Sequence, residues 1–119
     1  MKNIAIIFSN SPYGNIISQD GLDITISLTT IVNKIEIFFV GDGVFQCLKY
    51  KNPSYIRSLD YTKKFKILKI LGVKKFYCDK FSLKSRGLLN ISNFLFSINI
   101  LNIKNFIKKI SKFDHILNF

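Results

Sequence analysis

Ile35-Glu36-Ile37-Phe38-Phe39-Val40-Gly41-Asp42-Gly43-Val44-Phe45-Gln46 is the stretch that decides the fold of this chain. Ile35 to Val40 is apolar, with β-branched and aromatic character broken only by Glu36. That length and composition suit a strand covered on both faces, as in a parallel sheet. Gly41-Asp42-Gly43 stops the strand abruptly and feeds a short helical piece. In open α/β sheets, sites lie just beyond the carboxyl ends of the strands. The Gly-Asp-Gly turn is therefore expected on that rim.

Upstream, Asn3 to Ser9 reads as a first strand, and Asn10 to Gly21 as a loop carrying Pro12, Gly14 and Gly21. Leu22 to Leu28 has two readings. Leu22, Ile24, Ile26 and Leu28 alternate with polar residues at the period of a half-buried strand, whereas Ile24, Leu28, Ile31 and Val32 fit the stripe of an amphipathic helix. Two parallel strands need a crossover between them, which favours a helix from roughly Gly21 to Asn33. Downstream, Val44 to Leu48 is expected as a short helix and Lys49 to Ser58, with Pro53, mostly as loop. Asp60 can cap a helix from Tyr61 to Leu71. Its buried stripe is Tyr61, Phe65 and Leu68, widened by Ile67, Ile70 and Leu71, and Gly72 is its C′ residue. Val73 to Cys78 supplies a third strand, and Ser82 to Arg86 a helical turn stopped by Gly87. Part of Phe94 to Leu101 is a fourth strand. Asn102 caps a last helix with Ile103, Phe106, Ile107 and Ile110 on one side and Lys104, Lys108, Lys109 and Lys112 on the other. His115 to Phe119 closes the sheet. Strands alternating with helices predict a single α/β domain over 1–119: a three-layer sandwich with a mostly parallel central sheet of about five strands and helices on both faces.

At 119 residues the chain is one domain by size. Its apolar runs are too short for a spanning helix. Ile4 to Phe8 after Lys2 is too short for a secretory signal and lacks a small-residue cleavage site, so the protein reads as cytoplasmic. The net charge of +11 has two readings. One is a nucleic-acid partner, because Lys and Arg neutralise phosphates. The other is composition: Ile, Lys, Phe and Asn, all favoured by A+T-rich codons, make up 59 of the 119 residues, and only Arg57 and Arg86 are arginines. Arginine is the better bidentate reader of phosphate, so the compositional reading is preferred.

Cys47 and Cys78 are 31 residues apart with no CxxC partner and a single histidine, His115, in the chain. That argues against a zinc site, and a structural disulfide does not suit the cytoplasm. Cys78 ends the third strand, where Lys74, Lys75 and Lys80 could favour a reactive thiolate while Asp79 opposes it. It is the weak catalytic candidate, and a buried, idle thiol is the expected state. Cys47 is expected to pack as a small hydrophobe. His115 lacks an orienting partner, since Asp114 beside it on a strand points to the other face. The loop Ser9-Asn10-Ser11-Pro12-Tyr13-Gly14-Asn15 could cradle a phosphate only if a helix began at once. Pro12, Tyr13 and a delayed helix oppose that, and no GxGxxG or GxxxxGK[ST] is present, so no cofactor is expected. Aromatics are abundant, and those on the rim suit a subunit interface. Asp42, Val44, Phe45 and Tyr50 are the interface candidates.

Five segments, in order, carry a family resemblance: Phe8-Ser9…Pro12-Tyr13-Gly14, the opening stretch, Asp60-Tyr61…Phe65-Lys66-Ile67-Leu68, Ser82-Leu83…Arg86-Gly87-Leu88, and Phe113-Asp114-His115-Ile116-Leu117-Asn118-Phe119. Together they resemble the TusC/DsrF family of sulfur-relay subunits. In the sulfur-carrying paralogues, the acceptor cysteine precedes a stretch ending in Leu-Arg-Arg-Gly. Cys78 stands at about that place, upstream of Leu83-Lys84-Ser85-Arg86-Gly87. The TusC branch is the non-carrying one. The resemblance implies a three-layer fold and an accessory role beside TusB-like and TusD-like subunits in a heterohexamer, a dimer of heterotrimers. That complex passes persulfide sulfur through a TusE-like carrier toward 2-thiouridine at the tRNA wobble position, and this chain is not expected to touch tRNA or membrane. Two alternatives stand beside it: a small flavodoxin-like flavin- or nucleotide-binding protein, resting on the Ser9–Asn15 loop, and a basic RNA-binding module, resting on charge.

Overall fold

The computed structural model describes residues 2–11, 16–48, 56–90, 94–95 and 97–119, with backbone alone at 56–62. In chain order the elements are β1 (Asn3–Phe8), α1 (Ile17–Leu28), β2 (Lys34–Phe39), a 3-10 helix (Gly41–Cys47), α2 (Ile56–Ile70), β3 (Phe76–Asp79), α3 (Lys80–Ser85), β4 (Asn99–Leu101), α4 (Ile103–Ile110) and β5 (His115–Asn118). The strands form one sheet in the order β4-β3-β2-β1-β5. Every pairing is parallel, with Phe8 opposite Phe39 and Phe39 opposite Cys78. The expected α/β sandwich with helices on both faces therefore forms.

Alternation along the strands sorts the two faces. Ile4, Ile6, Phe8, Ile35, Ile37, Phe39, Phe76 and Cys78 meet Leu22 of α1, Phe65 and Leu68 of α2, and Val44 and Cys47 of the 3-10 helix. Ala5, Phe38 and Tyr77 face the other way and are covered by Phe106 of α4, with Ile110 and Phe113 alongside. On this second face Phe38 stacks on Tyr77 at 4.9 Å between centroids and meets Phe106 edge-on at 5.3 Å. Each such aromatic pair adds about 1 kcal/mol beyond its burial.

Several boundaries differ from those the sequence suggests, for identifiable reasons. Helix α1 begins at Ile17, and Gly21 lies inside it: a β-carbon there would stand 2.6 Å from Cγ of Phe119. That glycine serves close packing, which sequence alone reads as loop. The buried positions of α1 are Ser18, Gly21, Leu22 and Thr25, a true helical stripe, whereas Ile24 and Ile31 are exposed. The helix also stops at Leu28, short of Asn33. Helix α2 starts at Ile56, so Asp60 sits within it and is not its cap. Phe65 and Leu68 are buried, but Ile67, Ile70 and Leu71 are exposed and do not widen the stripe. Its end is as expected: Gly72 has φ +102, its N–H donates to Lys69 O, and Val73 N–H donates to Leu68 O at 2.9 Å, the paired bonds of a Schellman cap. Asn102 caps α4, accepting from Asn105 N–H at 2.9 Å. Ile103 and Ile107 of that helix, expected inside, are 64% and 61% exposed.

Candidate functional site

The carboxyl ends of β2 and β3 carry a hydrogen-bonded rim made by the 3-10 helix and α3. Strand β2 cannot run on past Val40, because Gly41 turns at φ +54. The turn then passes so close to β1 that a β-carbon at Gly43 would overlap the Phe8 carbonyl oxygen. Asp79 ends β3 and caps α3: its Oδ2 accepts from Ser82 N–H at 3.1 Å and from Ser82 Oγ–H at 2.7 Å. The same Ser82 Oγ accepts from Gly41 N–H at 2.9 Å. One hydroxyl thus ties the two strand-end turns together. Arg86 closes the outer side, with Nε and Nη2 donating to Asp42 Oδ1 at 3.1 and 3.0 Å and Nη1 donating to Ser82 O and Ser85 Oγ. Asp79 Oδ1 is buried with no partner among the described residues. Phe81 stands 74% exposed at the start of α3.

The two cysteines lie beneath this rim. Both are completely buried, and their Sγ atoms are 3.3 Å apart as free thiols. Burial pushes the Cys47 thiol well above its ordinary value, and the hydrogen bond and charge interaction with Cys78 push it further. A thiol held protonated and away from solvent is a poor nucleophile. Both cysteines are core groups.

Of the interface candidates, Asp42 is exposed and paired with Arg86. Phe45 is half-buried against the core. Val44 is completely buried in that core and presents nothing outward, which corrects its assignment as a contact residue. The turn leads Val44 inward because the tight approach at Gly43 aims the next side chain beneath β1. Tyr50 lies outside the described residues, as does 12–15 of the Ser9–Asn15 loop. The described part of that loop is already engaged: Ser9 N–H donates to Phe119 O at 3.0 Å, and Asn10 O accepts from Gln46 Nε2 at 2.9 Å. Beside it the Phe119 ring fills the space between α1 and β1, 6.0 Å from Phe8. His115 sits at the opposite, amino end of the sheet, 3.2 Å from Lys2 Nζ. Among the described residues no group of three His, Cys, Asp or Glu could hold a metal, and no helix is long and apolar enough to cross a membrane.

Sequence reasoning weighed Asp79 only as a charge near Cys78 and missed the Asp79–Ser82–Gly41 tie. The signal was present in Asp79-x-x-Ser82, the spacing of a helix cap and its third residue.

The model of a family described as DsrE/DsrF-like matches residues 2–119. Protein TusC of Buchnera aphidicola subsp. Acyrthosiphon pisum is 41% identical over 119 residues, covering all of both chains. Protein TusC of Klebsiella pneumoniae is 32% identical, again over the full length of both. The crystal structure of the ychN protein from E. coli superposes with a TM-score of 0.82 over all of both chains at 21% identity, a likeness of fold.

Proposed function

The chain belongs to the DsrE/DsrF-like family, with TusC proteins as full-length relatives, and on that premise we propose that it is an accessory, non-carrying subunit of a cytoplasmic sulfur-relay complex. The single observation that carries the accessory role is the burial of both thiols beneath the rim. In a persulfide relay, an acceptor thiolate attacks the outer sulfur of a donor persulfide. A new S–S bond forms, the old one breaks, and the donor departs as a thiolate, by the chemistry of thiol–disulfide exchange. A chain whose cysteines are enclosed and whose Cys47 resists ionisation supplies neither partner of that step. It supplies surface instead.

The partners in this reading are TusB-like and TusD-like subunits in a dimer of heterotrimers. A TusE-like protein carries sulfur onward toward 2-thiolation of the wobble uridine of tRNA. The rim around Asp42 and Phe45, with Phe81 beside it, is the surface this reading assigns to a neighbouring subunit. Exposed aromatics and arginines are residue types that interfaces favour. The test is a reconstituted relay in which this chain carries Cys78→Ser or Cys47→Ser. Unchanged output of thiolated tRNA is expected from both variants. Loss of product with an intact complex would show that the chain carries sulfur itself.

A further inference from the structure

A second polar site lies at the other end of the sheet, on the α4 face. Glu36 stands in β2 between Ile35 and Ile37, and it is only 3% exposed. Its Oε2 accepts from Lys34 Nζ at 3.1 Å, while its Oε1 has no partner among the described residues. Glu36 is one of the residues lining a pocket of about 180 Å³, with Asn3, Lys34, Lys109, Lys112 and Phe113. Two of the three ammonium groups are fixed by rings: Lys34 Nζ lies 5.8 Å from the centroid of Phe113, and Lys109 Nζ lies 4.8 Å over Tyr77. A hydrogen bond with Tyr77 is the largest influence holding Lys109 protonated, with Glu36 contributing in the same direction. Asp114 is engaged behind Asn3, accepting from its N–H at 2.8 Å. The pocket thus offers three positive groups, two of them held in place, around one buried acceptor that lacks a donor.

We propose that this pocket binds a small oxyanion that carries its own donor: a monohydrogen phosphate, or a phosphate ester with an adjacent hydroxyl. The ammonium groups of Lys34, Lys109 and Lys112 take the unprotonated oxygens. The ligand's O–H donates to Glu36 Oε1, which a buried carboxylate otherwise lacks at a cost. Sulfate has the charge and size of phosphate but no proton. It would leave Oε1 unpaired and set oxygen lone pairs against it, and a site built to pair with a donor rejects an analogue without one. The site is separate from the rim and goes beyond the accessory role.

The test is titration of the folded chain with inorganic phosphate, sulfate and uridine 3′-monophosphate at matched ionic strength, followed by amide chemical shifts. At about pH 8 phosphate and sulfate are both dianions, so only the proton separates them. Saturable phosphate binding, at least about tenfold tighter than sulfate and shifting amides near Glu36 and Lys109, is the expected result. Tighter binding of the nucleotide would assign the ester as the ligand, and equal binding the free ion. Glu36→Gln, whose amide donates, should bind sulfate as well as phosphate. The exposed Lys112→Ala should weaken phosphate several-fold with an unchanged melting temperature, which keeps a test available if the Glu36 variant does not fold. Absence of saturable phosphate binding, or equal affinity for sulfate in the unaltered chain, would overturn the proposal.

Discussion

Gly43 and Cys47 show how closely single residues are constrained beneath the rim. A β-carbon at Gly43 would overlap the Phe8 carbonyl oxygen, which is backbone and cannot swing aside. Gly43→Ala should therefore destabilise the fold by about 2 kcal/mol or more, seen as a lower urea midpoint. An unchanged midpoint would mean that the turn is not seated against β1. For Cys47 the sign of the pH effect follows from burial. Its folded pKa is raised, so its contribution to stability is complete below the unfolded thiol's value of about 8.5. It is lost as pH climbs from there toward the folded value, at up to about 1.4 kcal/mol per pH unit. Chemical denaturation at rising pH should show that decline, and Cys47→Ala should flatten it. Lys109 is also raised, above 10.5, so its loss begins only at higher pH. A variant that retains the full decline would place the effect elsewhere. Neither constraint was legible in the sequence: Gly43 reads as a turn glycine of any kind, and nothing in the spacing of Cys47 and Cys78 brings their sulfurs within 3.3 Å.

Helix α3 depends on its cap more than on its length. With six residues it has little cooperativity of its own, and Asp79 both satisfies its first turn and holds Ser82 against Gly41. Asp79→Ala should cost about 1 kcal/mol from the cap alone, and the Gly41 and Ser82 amides should exchange faster with solvent. Asp79→Asn keeps an acceptor and should retain most of that protection; equal loss in both variants would point to charge as the cause. The longer elements were legible where pattern and partner coincide. Strands β1 and β2 are apolar runs that become central strands, and Asn102 and Gly72 mark helix ends by chemistry that is local. The pattern failed where a distant residue decides. Gly21 is helical because Phe119, almost the whole chain away, packs on it. Ile103 and Ile107 have helical spacing yet remain exposed, because β4, the strand nearest α4 in the chain, is a three-residue edge strand with little face to cover them.

At the scale of the whole molecule, the α/β architecture was readable from alternation of strands and helices, and the strand order followed only with the coordinates. The two polar centres sit at opposite ends of one parallel sheet, the rim at the carboxyl ends and the Glu36 pocket at the amino ends, with the thiols sealed beneath the rim where the 3-10 helix meets β3. That arrangement suits a chain that lends shape to a complex. Asp42→Lys should loosen assembly while costing the isolated chain less than about 1 kcal/mol, since its pair with Arg86 is surface-exposed; unfolding of the isolated chain with subunit contacts intact would make the turn core architecture only. Native mass spectrometry of this chain co-expressed with TusB-like and TusD-like partners and charged with persulfide sulfur tests the accessory role directly. The expected species is a dimer of heterotrimers in which this chain keeps its unmodified mass and a partner gains a sulfur atom. A free monomer of this chain, or a sulfur adduct on Cys78 or Cys47 within the complex, would contradict it.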